Sequence, residues 1–417
     1  MKILIVGAGP AGMMAGIMAA RSGLQVTILE KNNEPGKKLN ITGKGRCNLS
    51  YTGDREYFLS NVVTNPKFMM SSISNLDNND LVEYVNDLGI KTKQERGNRV
   101  FLSSNNAREL TNALSNELKN LGVTVRYNIV VKNLLVKDNT VLGVVLTNGE
   151  KIYADKVLIA TGGKSYMSTG STGDGYALAQ AVGHSIVEPK PALVPLILKE
   201  CKTCKALRGV TLKNVGLKIV IDGKEYDNRF GELMFTDKGI TGPIVLSSSS
   251  KLNKVSNLQM LAKENKIKVY IDLKPALTDD ELYKRITRDF EKYMNKEFKN
   301  SLCDLTISSL IPVIIEQSVI DESKKVNSVT RQEKERIVKV FKKLEFTFDD
   351  LENINAGIVT SGGINVKEIN PKTMESKIIK NLYFAGEVID VDAYTGGFNL
   401  QIAFSTGYTA GINMGES

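Results

Sequence analysis

Lys2-Ile3-Leu4-Ile5-Val6-Gly7-Ala8-Gly9-Pro10-Ala11-Gly12 is the stretch whose reading decides the fold. Its first five residues read as a short buried strand, and a helical pattern continues through Met13, Ile17 and Ala20. The next apolar run, Val26-Thr27-Ile28-Leu29, ends on an acid, Glu30. A Gly-x-Gly-x-x-Gly set between strand and helix, with an acid eighteen residues after its last glycine, is the βαβ dinucleotide fingerprint in the context it requires. Gly7 permits the tight turn, Gly9 lets backbone approach a pyrophosphate, and Gly12 lets helix and strand pack closely. The helix start, with Ala11 in its first turn, offers free N–H groups to phosphates. Glu30 can accept hydrogen bonds from a ribose diol, with Lys31 beside it.

A chain of 417 residues is long for one core, so two or three domains are expected. No window is long and apolar enough for a membrane helix. The N-terminal apolar run is explained by the fingerprint's first strand rather than by a signal peptide, so a cytoplasmic protein is expected. Four scattered cysteines, Cys47, Cys201, Cys204 and Cys303, suit a reducing compartment. The net charge is +9, with short basic clusters at Lys37-Lys38, Lys324-Lys325 and Lys342-Lys343. No aromatic residues alternate with them as a stacking platform for nucleic acid requires. The charge is read instead as an attraction for anionic cofactors or substrates.

Alternating helix and strand runs to about residue 192. A helix is expected over 107–121, then strands over 123–127, 129–136, 141–147 and 151–154, with Asn148-Gly149 as a hairpin turn. Val157-Leu158-Ile159-Ala160 returns as a buried parallel strand and ends in Thr161-Gly162-Gly163. From residue 193 the pattern is β-rich, with Asp222-Gly223 as a turn. After Asp272 it turns helical: Thr278-Asp279-Asp280-Glu281 and Thr330-Arg331-Gln332-Glu333 are capping boxes, and Pro312 suits a helix start. Rossmann character resumes at Asn381-Leu382-Tyr383-Phe384-Ala385, followed by Gly386-Glu387 and a Gly396-Gly397 helix start.

Three separated pieces therefore converge on one cofactor: the fingerprint, the Thr161-Gly162 strand end, and the Gly386-Glu387 element with the helix after Gly397. That last helix would aim its N-terminal dipole at a flavin pyrimidine. An NAD-only dehydrogenase has no need of such a returning element, so the cofactor read here is FAD. The fold class is α/β, a Rossmann-type, two-dinucleotide-binding domain carrying a β-barrel-like insert and a small helical insert. The expected boundaries are 1–192 with 353–417 for the FAD domain, 193–274 with 345–352 for the β-rich insert, and 275–344 for the helical insert.

Further motifs carry a family resemblance. Lys38-Leu39-Asn40-Ile41-Thr42-Gly43-Lys44-Gly45-Arg46-Cys47-Asn48 resembles the KLxxTGxGRCN motif of the BaiN/YhiN-like, or aminoacetone-oxidase-like, FAD flavoproteins. Gly170–Gly175, Phe235–Pro243, Pro371–Lys377 and Gly396–Gln401 look like further blocks of that family. Ala393 stands where the family usually has glycine. The resemblance implies non-covalent FAD, with Gly9, Ala11 and Gly12 at the pyrophosphate and Glu30 at the adenosine ribose. It places Lys38, Arg46, Cys47 and Asn48 near the flavin, Val131 as a backbone contact to adenine, and Glu387, Phe398 and Asn399 at ribityl and pyrimidine. Steroid-like enone reduction and amine oxidation are both associated with such proteins.

The expected activity is hydride transfer between flavin and a small or steroid-like organic substrate, with NAD(P)H as a transient donor. The rivals are an RNA-directed FAD-dependent modification protein, an amine oxidase using oxygen, and an electron-transfer module without a substrate of its own. The insert is expected to shape the substrate pocket. No catalytic residue is assigned, although Tyr166 or Tyr394 could donate a proton. Cys201-Lys202-Thr203-Cys204 could be a redox pair, but no second pair or neighbouring histidine supports it, and two cysteines in a polar loop is the plainer reading. No four-ligand metal set can be built. His184, the one histidine, is placed on the surface at a helix end. Cys47 reads either as a thiol activated by Arg46 or as a packing residue of the pocket.

Overall fold

Six of the Rossmann elements follow directly from the opening stretch and the α/β run after it: β1 (Lys2–Val6), α1 (Pro10–Arg21), β2 (Gln25–Leu29), α2 (Ala107–Asn120), β3 (Thr124–Arg126) and β4 (Lys156–Ile159). The C-terminal segment adds β5 (Leu382–Phe384) and α3 (Phe398–Asn413). In the computed structural model, which describes residues 1–415, these strands form one parallel sheet of order β5-β4-β1-β2-β3. Every residue of β4 and β5 is buried, as expected for strands covered on both faces. Small residues let α3 lie close along α1: a Cβ on Gly407 would come within 2.3 Å of the Ala11 carbonyl oxygen, and one on Gly411 within 2.7 Å of the Ala15 oxygen.

The chain divides into two units, one of Met1–Ala192 with Asn353–Ser417 and the other of Leu193–Glu352. In the first, Val131–Lys137, Thr140–Leu146 and Lys151–Tyr153 form the three-stranded meander that the turn signals predict. A second antiparallel sheet, of Asn48–Tyr51, Arg99–Leu102 and Thr92–Glu95, has no clear periodic signal in the sequence.

The second unit is built on a closed six-stranded barrel of Leu196–Leu198, Gly239–Thr241, Lys224–Phe235, Thr211–Ile221, Ile267–Asp272 and Leu344–Leu351. Pairing of Leu196 with Leu351 closes it. Strict alternation in Ile267–Asp272 puts Ile267, Val269 and Ile271 inside. Both capping boxes are formed and open the helices Asp279–Lys292 and Arg331–Lys342. These helices bury Leu282, Ile286, Phe290, Ile337 and Phe341 in the same core as the barrel residues, so the segment 275–344 has no separate core. The expected architecture, a Rossmann-type α/β domain with a barrel insert and added helices, is the one observed.

His184 departs from its expected surface position. It is 2% exposed, with Nδ1 3.1 Å from Glu368 Oε2, Nε2 2.8 Å from Ser376 Oγ, and its ring edge-on to Phe384. The helix before it ends as expected, but the loop carrying Glu368 and Ser376 folds over the ring. Ser376 Oγ also accepts the Ile378 and Ile379 N–H groups, so its hydroxyl serves loop structure. Burial holds the His184 pKa below its ordinary 6.5, against the opposing pull of Glu368. The unfolded chain therefore binds this proton more readily than the folded one. Its contribution to stability is present above pH ~6.5 and is lost as pH falls through the interval below it. A melting temperature that falls between pH 7 and pH 5.5, with the fall reduced in His184→Phe, is the expected result. Equal slopes for both proteins would remove the assignment.

Candidate cofactor and active site

Register brings the functional ends of four strands into one row. Val6 pairs with Leu29 on one side and Ile159 on the other, and Ile159 pairs with Phe384. Gly7, Glu30, Thr161 and Gly386 therefore leave the sheet from the same carboxyl edge, where open parallel sheets hold their ligands. Gly7 adopts φ +106° and packs against the next strand, and a Cβ there would stand 2.5 Å from the Ala160 oxygen. A Cβ on Gly12 would stand 2.0 Å from the Gly7 oxygen. Gly9 differs, since a Cβ on it would meet nothing within 4 Å, so the space before α1 is open. No side chain caps α1 at Gly9. Its first N–H groups and positive dipole end face that space, which suits a pyrophosphate.

Glu30 is 7% exposed and already oriented. One carboxylate oxygen accepts the Ala8 N–H at 2.8 Å, and the other accepts Asn32 N–H at 2.8 Å and Asn32 Nδ2 at 2.7 Å. Lys31 turns to the Gly170–Gly175 block, where its Nζ lies 2.6 Å from Asp174 and 2.5 Å from Thr172. The Glu30 carbonyl accepts the Ile129 N–H at 2.9 Å, which brings the start of the Val131 strand alongside the end of β2.

Around Glu387 the structure assembles a polar cluster. Its carboxylate receives Lys38 Nζ at 2.6 Å, Ser165 Oγ at 3.1 Å and the Thr360 N–H at 2.9 Å, and Lys38 also reaches Ser165 at 2.7 Å. Gly163 is required here, because a Cβ would lie 2.5 Å from Thr360 Oγ1 and 2.8 Å from Glu387 Oε1. Sequence reading identified Lys38 and Glu387 but not their pairing, and it missed Ser165 and Thr360. A Ser beside Thr161-Gly162-Gly163-Lys164 was the available signal. Thr161 Oγ1, with Gly162 next to it, is buried without a hydrogen-bond partner.

The Arg46–Asn48 loop and the start of α3 meet, although they come from opposite ends of the chain. Gly397 adopts φ +99°, and a Cβ there would lie 2.2 Å from the Ser50 oxygen, while Ser50 Oγ donates to Gln401 Oε1 at 2.6 Å. Asn48 Oδ1 is buried and unpartnered. Arg46 pairs with Glu95 at 2.5 Å and lies over the Phe101 ring, which ties the loop to the antiparallel sheet. Cys47 is fully buried with φ +58°, and burial pushes its thiol up to about 12. Desolvation outweighs the lowering hydrogen bond with Thr42, so the thiolate is disfavoured, and Cys47 packs within the buried core. The Phe398 ring packs on Tyr51, 4.9 Å between centroids. The Asn399 side chain clamps the preceding loop through Ala393 N–H, Ala393 O and Tyr394 O. That leaves only the backbone N–H groups of Phe398 and Asn399, at an end without a side-chain cap, for a ligand. Ala393 is buried without positive φ, so the loop holds its path without the family's usual glycine.

These features fit FAD: an open, uncapped helix end for pyrophosphate, an oriented carboxylate for ribose, unpartnered Thr161 and Asn48 oxygens, and a second uncapped helix end. Among the described residues no cluster of His, Cys, Asp and Glu could hold a metal ion. The Cys201–Cys204 pair lies on a short helix, Cys201–Ala206, rather than in a loop, with both thiols free. Cys204 is fully buried and pushed up to about 12 by burial. Cys201→Ser should leave flavin reduction and turnover within about twofold. A large loss of turnover with intact FAD would make the pair a redox centre.

Comparison with known proteins agrees with this geometry. The chain is 31% identical to the 3-dehydro-bile acid delta(4,6)-reductase of Clostridium scindens, over 100% of this chain and 99% of that one. It is 28% identical to the ribosomal RNA dihydrouridine synthase of Haemophilus influenzae, over 99% and 98%. The 3-ketosteroid-delta4-(5alpha)-dehydrogenase of Rhodococcus jostii RHA1 shares the fold, with a TM-score of 0.55, 15% identity and coverage of 100% and 97%. The family of the HI0933-like protein Rossmann domain matches residues 1–413. The resemblance carried by the sequence motifs thus extends over nearly the whole chain: it is an FAD-dependent oxidoreductase and belongs to the HI0933-like family.

Proposed function

We propose that this enzyme reduces a carbon–carbon double bond conjugated to a carbonyl in a small or steroid-like substrate, with NAD(P)H as the transient donor. One observation carries the reading. Two relatives matched over nearly their full length are named for the same bond change on different molecules. The 4,6 double bonds of a 3-oxo bile acid are conjugated to its ketone, and the C5–C6 bond of uridine is conjugated to the C4 carbonyl. FAD, when bound, supplies the hydride.

The chain's own residues supply the rest. Glu30 and the α1 end bind and orient the adenosine diphosphate half. The start of α3 favours negative charge at the pyrimidine edge, by about 0.3–1 kcal/mol. Reduction is completed by a proton at the carbon next to the carbonyl. Tyr394 is the stronger candidate donor, because its loop is clamped by Asn399 immediately before α3 and its N–H is fixed on the Asn61 oxygen at 2.9 Å. Tyr166, in a left-handed conformation ahead of the Met167–Thr169 turn, is the other.

The test is anaerobic mixing of holoprotein with NADH or NADPH, followed by a 3-oxo-4,6-diene steroid. The expected result is flavin bleaching, reoxidation by the steroid, and a product that has gained two hydrogens. Reduced flavin that reacts with oxygen but not with the enone overturns the proposal. A second reading, reduction of uridine in RNA, is favoured by the dihydrouridine synthases of Haemophilus influenzae and Escherichia coli, each 28% identical. Reoxidation by a uridine-containing RNA, and not by the steroid, would select it.

A further inference from the structure

We infer that an open groove of about 430 Å³ on the nucleotide-binding unit is a second anion site, which takes the phosphate groups of a nucleotide or polynucleotide. Arg55, Met70, Ser71, Ser74, Asn75 and Lys372 line it. No carboxylate is among them. Neither Arg55 nor Lys372 has an ion-pair or hydrogen-bonding partner for its charged head among the described residues. In the same unit Arg21, Arg46, Arg108 and Arg126 each hold a carboxylate. A lone surface cation is simply solvated. Asp54 and Glu56 flank Arg55 in the chain but are not part of the lining, so two unneutralised cations share one concavity without a lining acid, which raises the local potential for phosphate.

The remaining lining matches the rest of a nucleotide. Ser71 and the Asn75 amide oxygen offer hydrogen bonds of the kind a ribose uses. Met70 is 49% exposed and presents a polarisable thioether against which a base can lie. The groove is separate from the FAD site. Asn75 Nδ2 donates to Thr409 Oγ1, and Asn413 Nδ2 to the Lys372 oxygen, so it flanks the far half of α3. Thr409 lies about 16 Å along the helix from Phe398 at 1.5 Å per residue. The inference does not depend on which double bond the enzyme reduces.

A competing role for Lys372 alone is neutralisation of the carbonyl end of α3. The experiment separates the two. Full-length FAD holoprotein, its Arg55→Glu/Lys372→Glu variant and the milder Arg55→Gln/Lys372→Gln variant are titrated with a fluorescein-labelled single-stranded RNA oligonucleotide and with ADP. FAD content and melting temperature are followed in parallel. The expected result is a loss of about thirtyfold or more in affinity for one of these ligands on charge reversal, a smaller loss on neutralisation, and unchanged FAD content. Loss confined to RNA identifies a polynucleotide backbone, with the salt dependence shallower by about 0.7 per lost phosphate contact. Loss of ADP binding identifies a free nucleotide. Wild-type protein that binds neither, or variants that bind both as tightly as wild type, overturn the site. A lower melting temperature with unchanged affinities assigns Lys372 to the helix end and overturns it equally.

Discussion

Gly12→Ala is expected to yield a protein that binds little or no FAD and is destabilised by about 3 kcal/mol, at the upper end for overpacking a tight contact. The added methyl would sit 2.0 Å from the Gly7 carbonyl oxygen and 3.3 Å from Ile5 Cγ2, and the first of these is backbone that cannot rotate away. Relief requires α1 to separate from β1, which also moves the helix end meant for the pyrophosphate. Gly9→Ala is the control. Its methyl meets nothing within 4 Å, and its φ of −80° is open to any residue. That variant should keep the melting temperature of the parent and lose only FAD affinity, because the methyl occupies the space the phosphates approach. Equal melting temperatures for Gly12→Ala and the parent, each measured without FAD, would show that the helix accommodates the methyl and that close packing is not the role of this glycine.

Glu30→Ala should weaken FAD binding by about ten- to a hundredfold, the loss of roughly 1.5–3 kcal/mol of charge-assisted hydrogen bonding. The carboxylate also organises its surroundings, since it accepts the N–H groups of Ala8 and Asn32. Removing it leaves the Ala8 N–H, inside the fingerprint turn, without its acceptor. Glu30→Gln should fall between, keeping an acceptor oxygen but losing the charge. Flavin fluorescence on titration with FAD measures each dissociation constant. A constant unchanged in Glu30→Ala would mean that the ribose is held elsewhere.

Where interactions are local, the sequence was sufficient to read them. The fingerprint, α2 with its Leu110, Leu114 and Leu118 face, the hairpin turn at Asp222-Gly223 and both capping boxes are settled by residues within a few positions of one another. Misreadings arose where a distant segment decides the environment. Nothing near His184 signals that Glu368 and Ser376 will close over it. The short helix at Cys201 hides Cys204 because the barrel gives it a core to face. The sheet of residues 48–51, 92–95 and 99–102 is made of strands of four residues each, too short for alternation to stand out.

By itself the sequence determined that a strand, a glycine turn and a helix would form a dinucleotide site, because backbone freedom at Gly7 and the acid after β2 are properties of a single continuous segment. Tertiary structure alone decided how that site is completed. Lys38 and Glu387 are 349 residues apart and meet at 2.6 Å, and Gly397 reaches Ser50 only because α3 lies along α1 on glycines 407 and 411. It also decided that Cys47 is buried and its thiolate disfavoured, since a thiol's ionisation depends on its exclusion from water, and that exclusion is created by packing between segments rather than by neighbours in the chain.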